Sequence, residues 1–206
     1  MVNIFTFFLN DIFRQGILAD FERELGVPHQ TIRHHLDTLV DKNLINRVLK
    51  VYSLNLENPA VWEKLSIAEK ERLLFSLKDT IFSVIYEKFS DFYEKGLLIM
   101  FGSAVTNIKE ANDIDLLYLG KGNPTRIAKH ISDAYGKEIH LVRSGFLGAT
   151  LKVEIQKRHI FLNRSDEALR LIWYPWIGAR RGEKASLRHI QVEIPQRSTS
   201  RRRKRR

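Results

Sequence analysis

The sequence predicts an α+β protein with two folded units, a helical N-terminal unit that ends in a hairpin and a small mixed sheet that follows it. Three observations lead to this prediction. Apolar residues spaced i, i+4, i+7 and i+8 from Ile32 indicate an amphipathic helix near the N-terminus. Two apolar runs, 96–100 and 116–119, are typical of strands and flank a Gly-Ser pair and two aspartates. The chain has 206 residues and is 44% hydrophobic, which allows one large or two small domains with real cores.

The composition excludes several classes of site. There are no cysteines, so disulfides, thiolate zinc sites and a cysteine nucleophile are excluded. This composition suits a reducing compartment, and we expect a cytoplasmic protein. The apolar run 1–9 is short, lacks a basic start and reaches Asn10 and Asp11 too soon for a signal peptide or a membrane span. We therefore expect no membrane association.

The positive charge is concentrated at the C-terminus. The net charge is +10, and residues 179–206 hold 11 Lys/Arg against 2 Asp/Glu, while the remainder holds 23 against 22. The run 201–206 is entirely basic and would bind polyanions without sequence preference. Residues 178–206 are thus predicted to be a basic, partly disordered tail. A nucleic-acid contact and a purely solubilising role both remain open.

Residues 1–60 show the order of elements of a helical DNA-binding unit. The unit is predicted to contain a first helix, a short second helix, a turn with Pro28, a third helix and two hairpin strands. Pro28 suits the start of a helix because no backbone N–H is needed there. The predicted bounds, in order, are Asn3–Arg14, Asp20–Leu25, Gly26–Pro28, His29–Lys42, Leu44–Val48 and Lys50–Leu54.

This segment resembles the winged helix-turn-helix domains of prokaryotic transcription regulators over about 55 residues. The resemblance implies that the helix from His29 lies in the major groove of DNA. Residues of its exposed face would then reach base edges, and basic residues around the hairpin would reach phosphates. The predicted DNA-binding residues are Gln30, Thr31, Arg33, His34, Arg47 and Lys50, with Lys42 as a further phosphate contact.

The charge of this unit weakens the expectation of tight DNA binding. Residues 1–60 carry 6 Lys/Arg and 7 Asp/Glu, so the electrostatic contribution to binding is small. A homodimer, or help from the basic tail, would be needed. The alternative is a module for protein interaction or dimerisation.

Residues 61–95 are predicted to be a helical linker or the first helix of the next unit. Asn58-Pro59 marks the boundary, and Ser66 with Glu69 fits a capping box at a helix start. A helical pattern continues from there to about Lys95 in one or two pieces. The sequence does not distinguish a linker, a dimer contact and a catalytic-domain helix.

Residues 96–177 contain the pattern that points to chemistry. An apolar run leads into Gly102-Ser103, and Asp113 and Asp115 follow at the start of a second apolar run. Residues two apart on a strand point the same way, so the two carboxylates can share a divalent cation. A Gly-Ser turn offers backbone N–H groups to a phosphate. Metal and phosphate binding together are what nucleotidyl transfer requires.

The stretch 97–119 resembles the minimal nucleotidyltransferases of the DNA polymerase beta-type superfamily. The matching residues are Phe101, Gly102, Ser103, Asp113, Ile114, Asp115 and Leu116. The resemblance implies that Gly102 and Ser103 hold the phosphates of an NTP such as ATP. It also implies that Asp113 and Asp115 bind Mg²⁺, at one or two sites, and that pyrophosphate is the second product.

One position departs from the family pattern. The family adds a third carboxylate on a neighbouring strand, and the predicted strand 138–142 places His140 there. Glu138, which points the same way, and Glu154, on the following helix, are the candidates to replace it. His140 can also serve as a base. The catalytic candidates are therefore Asp113, Asp115, Glu138, His140 and Glu154.

The sequence thus predicts a Mg²⁺-dependent transfer of NMP to a macromolecular acceptor, protein or RNA, by a protein that also binds DNA. The resemblance includes small members that act as antitoxins by modifying a partner protein. The alternative is a DNA-binding regulator whose nucleotidyltransferase domain is inactive or senses a ligand. A nucleic-acid scaffold that depends on the basic tail is a third hypothesis.

Overall fold

The computed structural model describes residues 3–143 and 147–180, which form a mixed helix and sheet (α+β) protein. The predicted basic tail lies almost entirely outside the described residues. The strands are β1 Gly16–Ile17, β2 Ile45–Val48, β3 Val51–Leu54, β4 Gly96–Phe101, β5 Asp113–Gly120, β6 Glu138–Arg143 and β7 His159–Phe161. The helices are α1 Leu18–Leu25, α2 His29–Asp41, α3 Pro59–Ser76, α4 Thr80–Lys88, α5 Thr125–Tyr135, α6 Ala149–Lys157 and α7 Ser165–Arg180. None of the helices in these ranges is long and apolar enough to cross a membrane.

The N-terminal unit contains two helices and a three-stranded antiparallel sheet in the order β1-β3-β2. The two helices and the hairpin lie where the sequence predicts them, within about two residues. Strand β1 was not predicted: Gly16 pairs with Tyr52, and an added Cβ at Gly16 would stand 2.7 Å from the Phe7 ring. The absence of a side chain therefore lets this short strand lie against the aromatic core.

The predicted first helix over 3–14 was wrong. Only Ile4–Phe8 forms a helix, of the 3-10 type, and turns follow it. Two side chains compete with helical hydrogen bonds, because Asn3 accepts from the N–H of Phe5 and Asp11 accepts from the N–H of Phe13. The segment is also buried on several sides at once, which one stripe of a helix cannot achieve. Its buried residues are Ile4, Phe5, Phe7, Phe8, Leu9 and Ile12.

The predicted capping box at Ser66 and Glu69 was also wrong. Helix α3 begins at Pro59, and the Asn58 side chain caps it by accepting from the N–H of Ala60. Ser66 and Glu69 therefore lie in the interior of the helix, and both are buried. The helical pattern to Lys95 divides into α3, α4 and a short 3-10 turn at Ser90–Phe92, because Asp79 caps a new helix.

The second sheet has four strands in the order β6-β5-β4-β7. Strand β4 pairs antiparallel with β5 and β7, while β5 and β6 are parallel and connected through α5. All six residues of β4 are buried, and alternate ones belong to two hydrophobic clusters on opposite faces. One cluster continues without a break from the sheet into α3, α7 and the N-terminal unit.

A buried polar network joins α3 to β7 beneath this sheet. The Glu69 carboxylate accepts two hydrogen bonds from Arg72, at 2.7 and 2.9 Å, and lies 3.1 Å from Nε2 of His159. Nδ1 of His159 lies 2.7 Å from the carbonyl oxygen of Ile155. His159 and Glu69 are fully buried. Burial lowers the pKa of His159, although the nearby Glu69 carboxylate opposes that change.

This network predicts a specific pH dependence of stability. Because the pKa of His159 lies below 6.5 in the folded protein, the unfolded chain takes up the proton first as the pH falls. We expect the free energy of unfolding to decrease below about pH 6.5, by up to about 1.4 kcal/mol per pH unit from this residue. Urea denaturation of the wild type and His159→Gln at pH 7.5, 6.5 and 5.5 measures the difference.

The matched control is His130→Gln, since His130 is exposed on α5. This variant should keep the pH dependence of the wild type, whereas His159→Gln should show a shallower one. Equal pH dependence in the wild type and His159→Gln would show that burial of His159 is not what links stability to pH.

Candidate metal and nucleotide site

The antiparallel register of β4 and β5 places the Gly-Ser turn against the second aspartate. Phe101 is the Cα partner of Asp115, and Gly102 follows at once with φ +77° and ψ −155°. This conformation is essentially restricted to glycine. A Cβ on Gly102 would also stand 2.5 Å from Oδ2 of Asp115. Glycine is therefore required here for two reasons, and exposed Ser103 opens a 3-10 turn over Ser103–Val105.

The parallel register of β5 and β6 completes the cluster. Asp113 is the partner of Glu138, and Asp115 is the partner of His140. The intervening Ile114 is fully buried on the opposite face. Because side chains alternate along a strand, the four polar residues leave the sheet on one face while isoleucine anchors the other.

The imidazole of His140 lies between carboxylates on its two sides. Its Nδ1 is 3.5 Å from Oδ2 of Asp113 and 3.5 Å from Oδ1 of Asp115, and its Nε2 is 3.1 Å from Oε1 of Glu138. The side chains of Asp113, Asp115 and His140 are 40%, 28% and 46% exposed, so the cluster is open to solvent. The site can therefore admit an ion together with its waters.

The electrostatics of the cluster reflect this crowding. Burial, followed by the neighbouring Asp113 charge, raises the pKa of Asp115. The hydrogen bond with Glu138, then the charges of Glu138, Asp113 and Asp115, raises the pKa of His140 against a smaller effect of burial. Among the described residues no Lys or Arg forms an ion pair with either aspartate. With His140 as the ion-pair partner of both aspartates in the described part of the chain, the three carboxylates together keep a net negative charge that favours a cation.

The donor set fits a divalent cation. One ligand atom each from Asp113, Asp115 and His140 can be chosen so that all three lie within 4.8 Å of one another. Carboxylate oxygens suit Mg²⁺ and Mn²⁺, and an imidazole nitrogen suits transition ions. These residues can thus hold a divalent ion, with open positions left for waters or phosphate oxygens.

The other predicted residues lie elsewhere or play a different part. Glu138 reaches His140 but does not belong to the three-ligand group among the described residues. Glu154 pairs with Lys157 at 2.8 Å on α6. The six predicted DNA-binding residues are all exposed, four on the N-terminal half of α2 and two at the hairpin. The Arg47 guanidinium lies 3.3 Å from Asp37, which partly neutralises it.

Sequence reasoning missed a lysine that supports the site. Nζ of Lys137 donates to the carbonyl oxygens of Lys109 and Ala111, at 2.9 and 2.5 Å, and so holds the loop that leads into Asp113. Its position just before β6 is the only signal in the sequence, and this signal is weak because long-range pairing decides which loop the lysine meets.

Comparisons with known proteins give little beyond this geometry. No protein-family model and no curated protein matches the chain significantly. Similar solved structures include a toxin–antitoxin with AMP-PNP, at 22% identity over 48% of this chain and 91% of that chain, with a TM-score of 0.37. Another is the tri-AMPylated Shewanella oneidensis HEPN toxin with the MNT antitoxin, at 18% identity over 48% and 88%, with a TM-score of 0.35. The MntA–HepT toxin–antitoxin matches at 17% identity over 48% and 89%, also at 0.35. Scores of this size are too low to bear on function.

The contact between Gly102 and Asp115 yields a test of the site. We expect Gly102→Ala to lower the free energy of unfolding by about 1–3 kcal/mol, because alanine is strained at this φ and its Cβ meets the carboxylate. The displaced carboxylate should also weaken binding of a divalent ion by the cluster, probed with Mn²⁺. Urea denaturation and Mn²⁺ titration measure the two effects.

Gly136→Ala is the matched control, since Gly136 has φ +63° and nothing within 4 Å of an added Cβ. It should cost about 1 kcal/mol from backbone strain alone and leave Mn²⁺ binding unchanged. Equal loss of Mn²⁺ binding in both variants would show that the contact between position 102 and Asp115 does not shape the ion site.

Proposed function

We propose that this protein is a divalent-metal-dependent nucleotidyltransferase that moves an NMP group from an NTP to a macromolecular acceptor, and that its N-terminal unit binds DNA. The observation that carries the first part is the convergence of Asp113, Asp115 and His140 beside the turn at Gly102. The turn and the carboxylates meet through strand pairing, as nucleotidyl transfer requires.

Asp113 and Asp115 would hold Mg²⁺, and Gly102 with Ser103 would lie along the triphosphate. A bound divalent ion would supply charge neutralisation for the phosphates and the leaving group. An acceptor hydroxyl oxygen forms a new bond to the α-phosphorus, the bond from that phosphorus to the bridging oxygen breaks, and pyrophosphate leaves. The protein's own contribution is to position these groups in line and keep them there.

The acceptor proton must also leave, and His140 stands at the position from which a third carboxylate would assist. His140 either takes up that proton or binds a second ion, and the transfer needs one of the two. Glu138 supports either role through its contact with Nε2 of His140. Glu154 has no part in the proposal, because it does not belong to the group of ligand atoms that converge among the described residues.

The second part of the proposal assigns residues 1–60 to a winged helix-turn-helix domain. Helix α2 follows α1 across a short turn, and the hairpin β2–β3 packs beside them. The N-terminal half of α2 presents Gln30, Arg33 and His34 to solvent, and Lys50 is exposed at the hairpin. In this proposal residues 61–95 connect to the transferase domain at 96–177, and DNA binding requires a homodimer or the basic tail.

A second candidate function is a DNA-binding regulator that no longer transfers nucleotides. The observation in its favour is an imidazole in place of the third carboxylate. A domain of this kind would still hold a nucleotide or an ion at Asp113 and Asp115 without turnover.

A labelling assay tests the transferase. Full-length protein is incubated with each of the four α-labelled NTPs, a divalent ion, and either total RNA or a protein extract. We expect label on one macromolecular class with the wild type and a loss of at least about 100-fold in Asp113→Asn and Asp115→Asn, because removing one carboxylate charge removes the cation site.

Asp133→Asn is the control, since Asp133 is an exposed aspartate on α5 outside the cluster. It should label like the wild type. Nucleotide binding without label on RNA or protein under every NTP would favour the regulator and reject the transferase.

A selection from randomised DNA duplexes tests the N-terminal unit. Arg33→Ala should weaken binding to the selected duplex by about 1–3 kcal/mol and relax one base position, since arginine reads base edges. Lys50→Ala should weaken all sequences alike and lower the salt slope by about 1, because it loses one phosphate contact. Fluorescence anisotropy at several salt concentrations measures both effects.

Lys129→Ala, an exposed lysine on α5, is the control and should bind like the wild type. A deletion of residues 196–206 tests the remaining hypothesis, which is a nucleic-acid scaffold that depends on the basic tail. Binding that is insensitive to Arg33 and Lys50 but lost with the deletion would mean that the basic tail alone contacts DNA.

A further inference from the structure

We propose that the cluster binds a divalent transition ion through Nδ1 of His140, with Glu138 orienting the ring, and that it therefore prefers Mn²⁺ to Mg²⁺. This inference rests on the proposed function for the role of the ion. It deepens that function by specifying which kind of ion the site prefers and which nitrogen atom binds it. It assigns His140 to ligation rather than to proton transfer.

The orientation of the imidazole is the first argument. The ring turns Nδ1 toward both aspartates, at 3.5 Å from each, and Nε2 toward Glu138 at 3.1 Å. In the neutral ring with its proton on Nε2, that proton is donated to Glu138, and the Nδ1 lone pair points to the space beside the aspartates. Histidines that bind metals typically donate their second N–H to a carboxylate in this way.

The register of the strands is the second argument. Parallel pairing fixes Asp115 opposite His140 and Asp113 opposite Glu138, so the sheet itself holds the ring between the two aspartates and Glu138. Strand positions hold ligands more precisely than loops do. The arrangement of an imidazole flanked by an orienting carboxylate and two ligand carboxylates is therefore built into the backbone.

The donor set is the third argument. Mg²⁺ takes oxygen ligands and retains its waters. Mn²⁺ shares the preference for carboxylate oxygens but, as a first-row transition ion, binds an imidazole nitrogen more readily than Mg²⁺ does. A third aspartate at this position would leave an all-oxygen site that suits Mg²⁺. With His140 in its place, one position of the site is better filled by an ion that binds nitrogen.

The charges argue against a role of His140 as an internal counter-ion alone. A protonated His140 would supply one positive charge against three carboxylates, and among the described residues neither aspartate has a Lys or Arg partner. The exposed fractions of 28–46% in the three ligand residues leave them open to an ion from solvent. Neutralisation by His140 alone would leave this face of the sheet strongly negative.

Manganese binding to the full-length protein tests the inference directly. Electron paramagnetic resonance counts free Mn²⁺ during titration, alone and with α,β-methylene-ATP, and competition with Mg²⁺ gives the preference. We expect Mn²⁺ to bind at least about tenfold more tightly than Mg²⁺. Pulsed measurements should show ¹⁴N coupling to the bound Mn²⁺ from the imidazole.

Three variants sharpen the test. His140→Asp should lose the ¹⁴N coupling. Its preference for Mn²⁺ over Mg²⁺ should fall about tenfold, although it should still bind both ions. Glu138→Gln should keep the coupling but weaken Mn²⁺ about tenfold, as expected when an orienting carboxylate is removed. His130→Asp, at an exposed histidine on α5, should change neither measurement. If His140→Asp does not fold, His140→Ala should lose the coupling and added imidazole should restore it.

The outcomes separate this inference from the proposed function. Bound Mn²⁺ without ¹⁴N coupling, or an unchanged preference in His140→Asp, overturns nitrogen ligation and leaves the transferase in place. Coupling that is present in a protein that labels neither RNA nor protein supports the ion site and rejects the transferase. Failure of the wild type to bind Mn²⁺ with or without the nucleotide analogue overturns the inference.

Discussion

The pairing of β4 with β5 is the constraint on which both the core and the candidate site depend. It brings the Gly102 turn against the Asp115 carboxylate, and it puts alternate residues of a fully buried strand into two separate clusters. A slip of one residue would turn Ile114 and Leu116 toward the site and bury the aspartates. Because burying two unpaired carboxylates is very costly, the hydrophobic pattern and the chemistry select the same register.

The sequence alone was sufficient to predict the parts of the site that lie close together along the chain. The strand before Gly102, the strand that opens at Asp113, helix α5 and the position of His140 on β6 all appear in the structure as expected. Each depends on a strong local signal: a continuous apolar run, or a helical stripe that ends at glycine. The contact of Glu138 with Nε2 of His140 could not be predicted, because side-chain torsions decide which carboxylate meets which ring nitrogen.

The failures arise where burial, or a competing local signal, overrides the pattern that predicted a helix or its start. Ser66 and Glu69 have the spacing of a capping box, yet they lie inside α3 because Asn58 and Pro59 supply a stronger start. The Glu69 carboxylate, which the spacing predicted to cap a helix, is instead buried against Arg72 and His159. His159 lies 90 residues further along the chain. A sequence contains no sign of such a distant partner, and a buried glutamate is rare enough that a surface role is the reasonable expectation.

The same buried network lies where the two halves of the chain meet. Arg72 donates to both Glu69 and Asn10, and Glu69 contacts His159, whose Cα partner on β4 is Phe101, the residue before Gly102. Contact alone does not couple two sites, since coupling requires an element with two arrangements. This network instead favours one arrangement, because leaving a buried carboxylate without its partners costs several kcal/mol, on the order of 3–5. The N-terminal unit packs on α3 and the sheet through the continuous hydrophobic cluster, with the Arg72–Asn10 hydrogen bond beside it. The proposed DNA-binding face and the metal cluster therefore belong to one packed body rather than to units joined by a free linker.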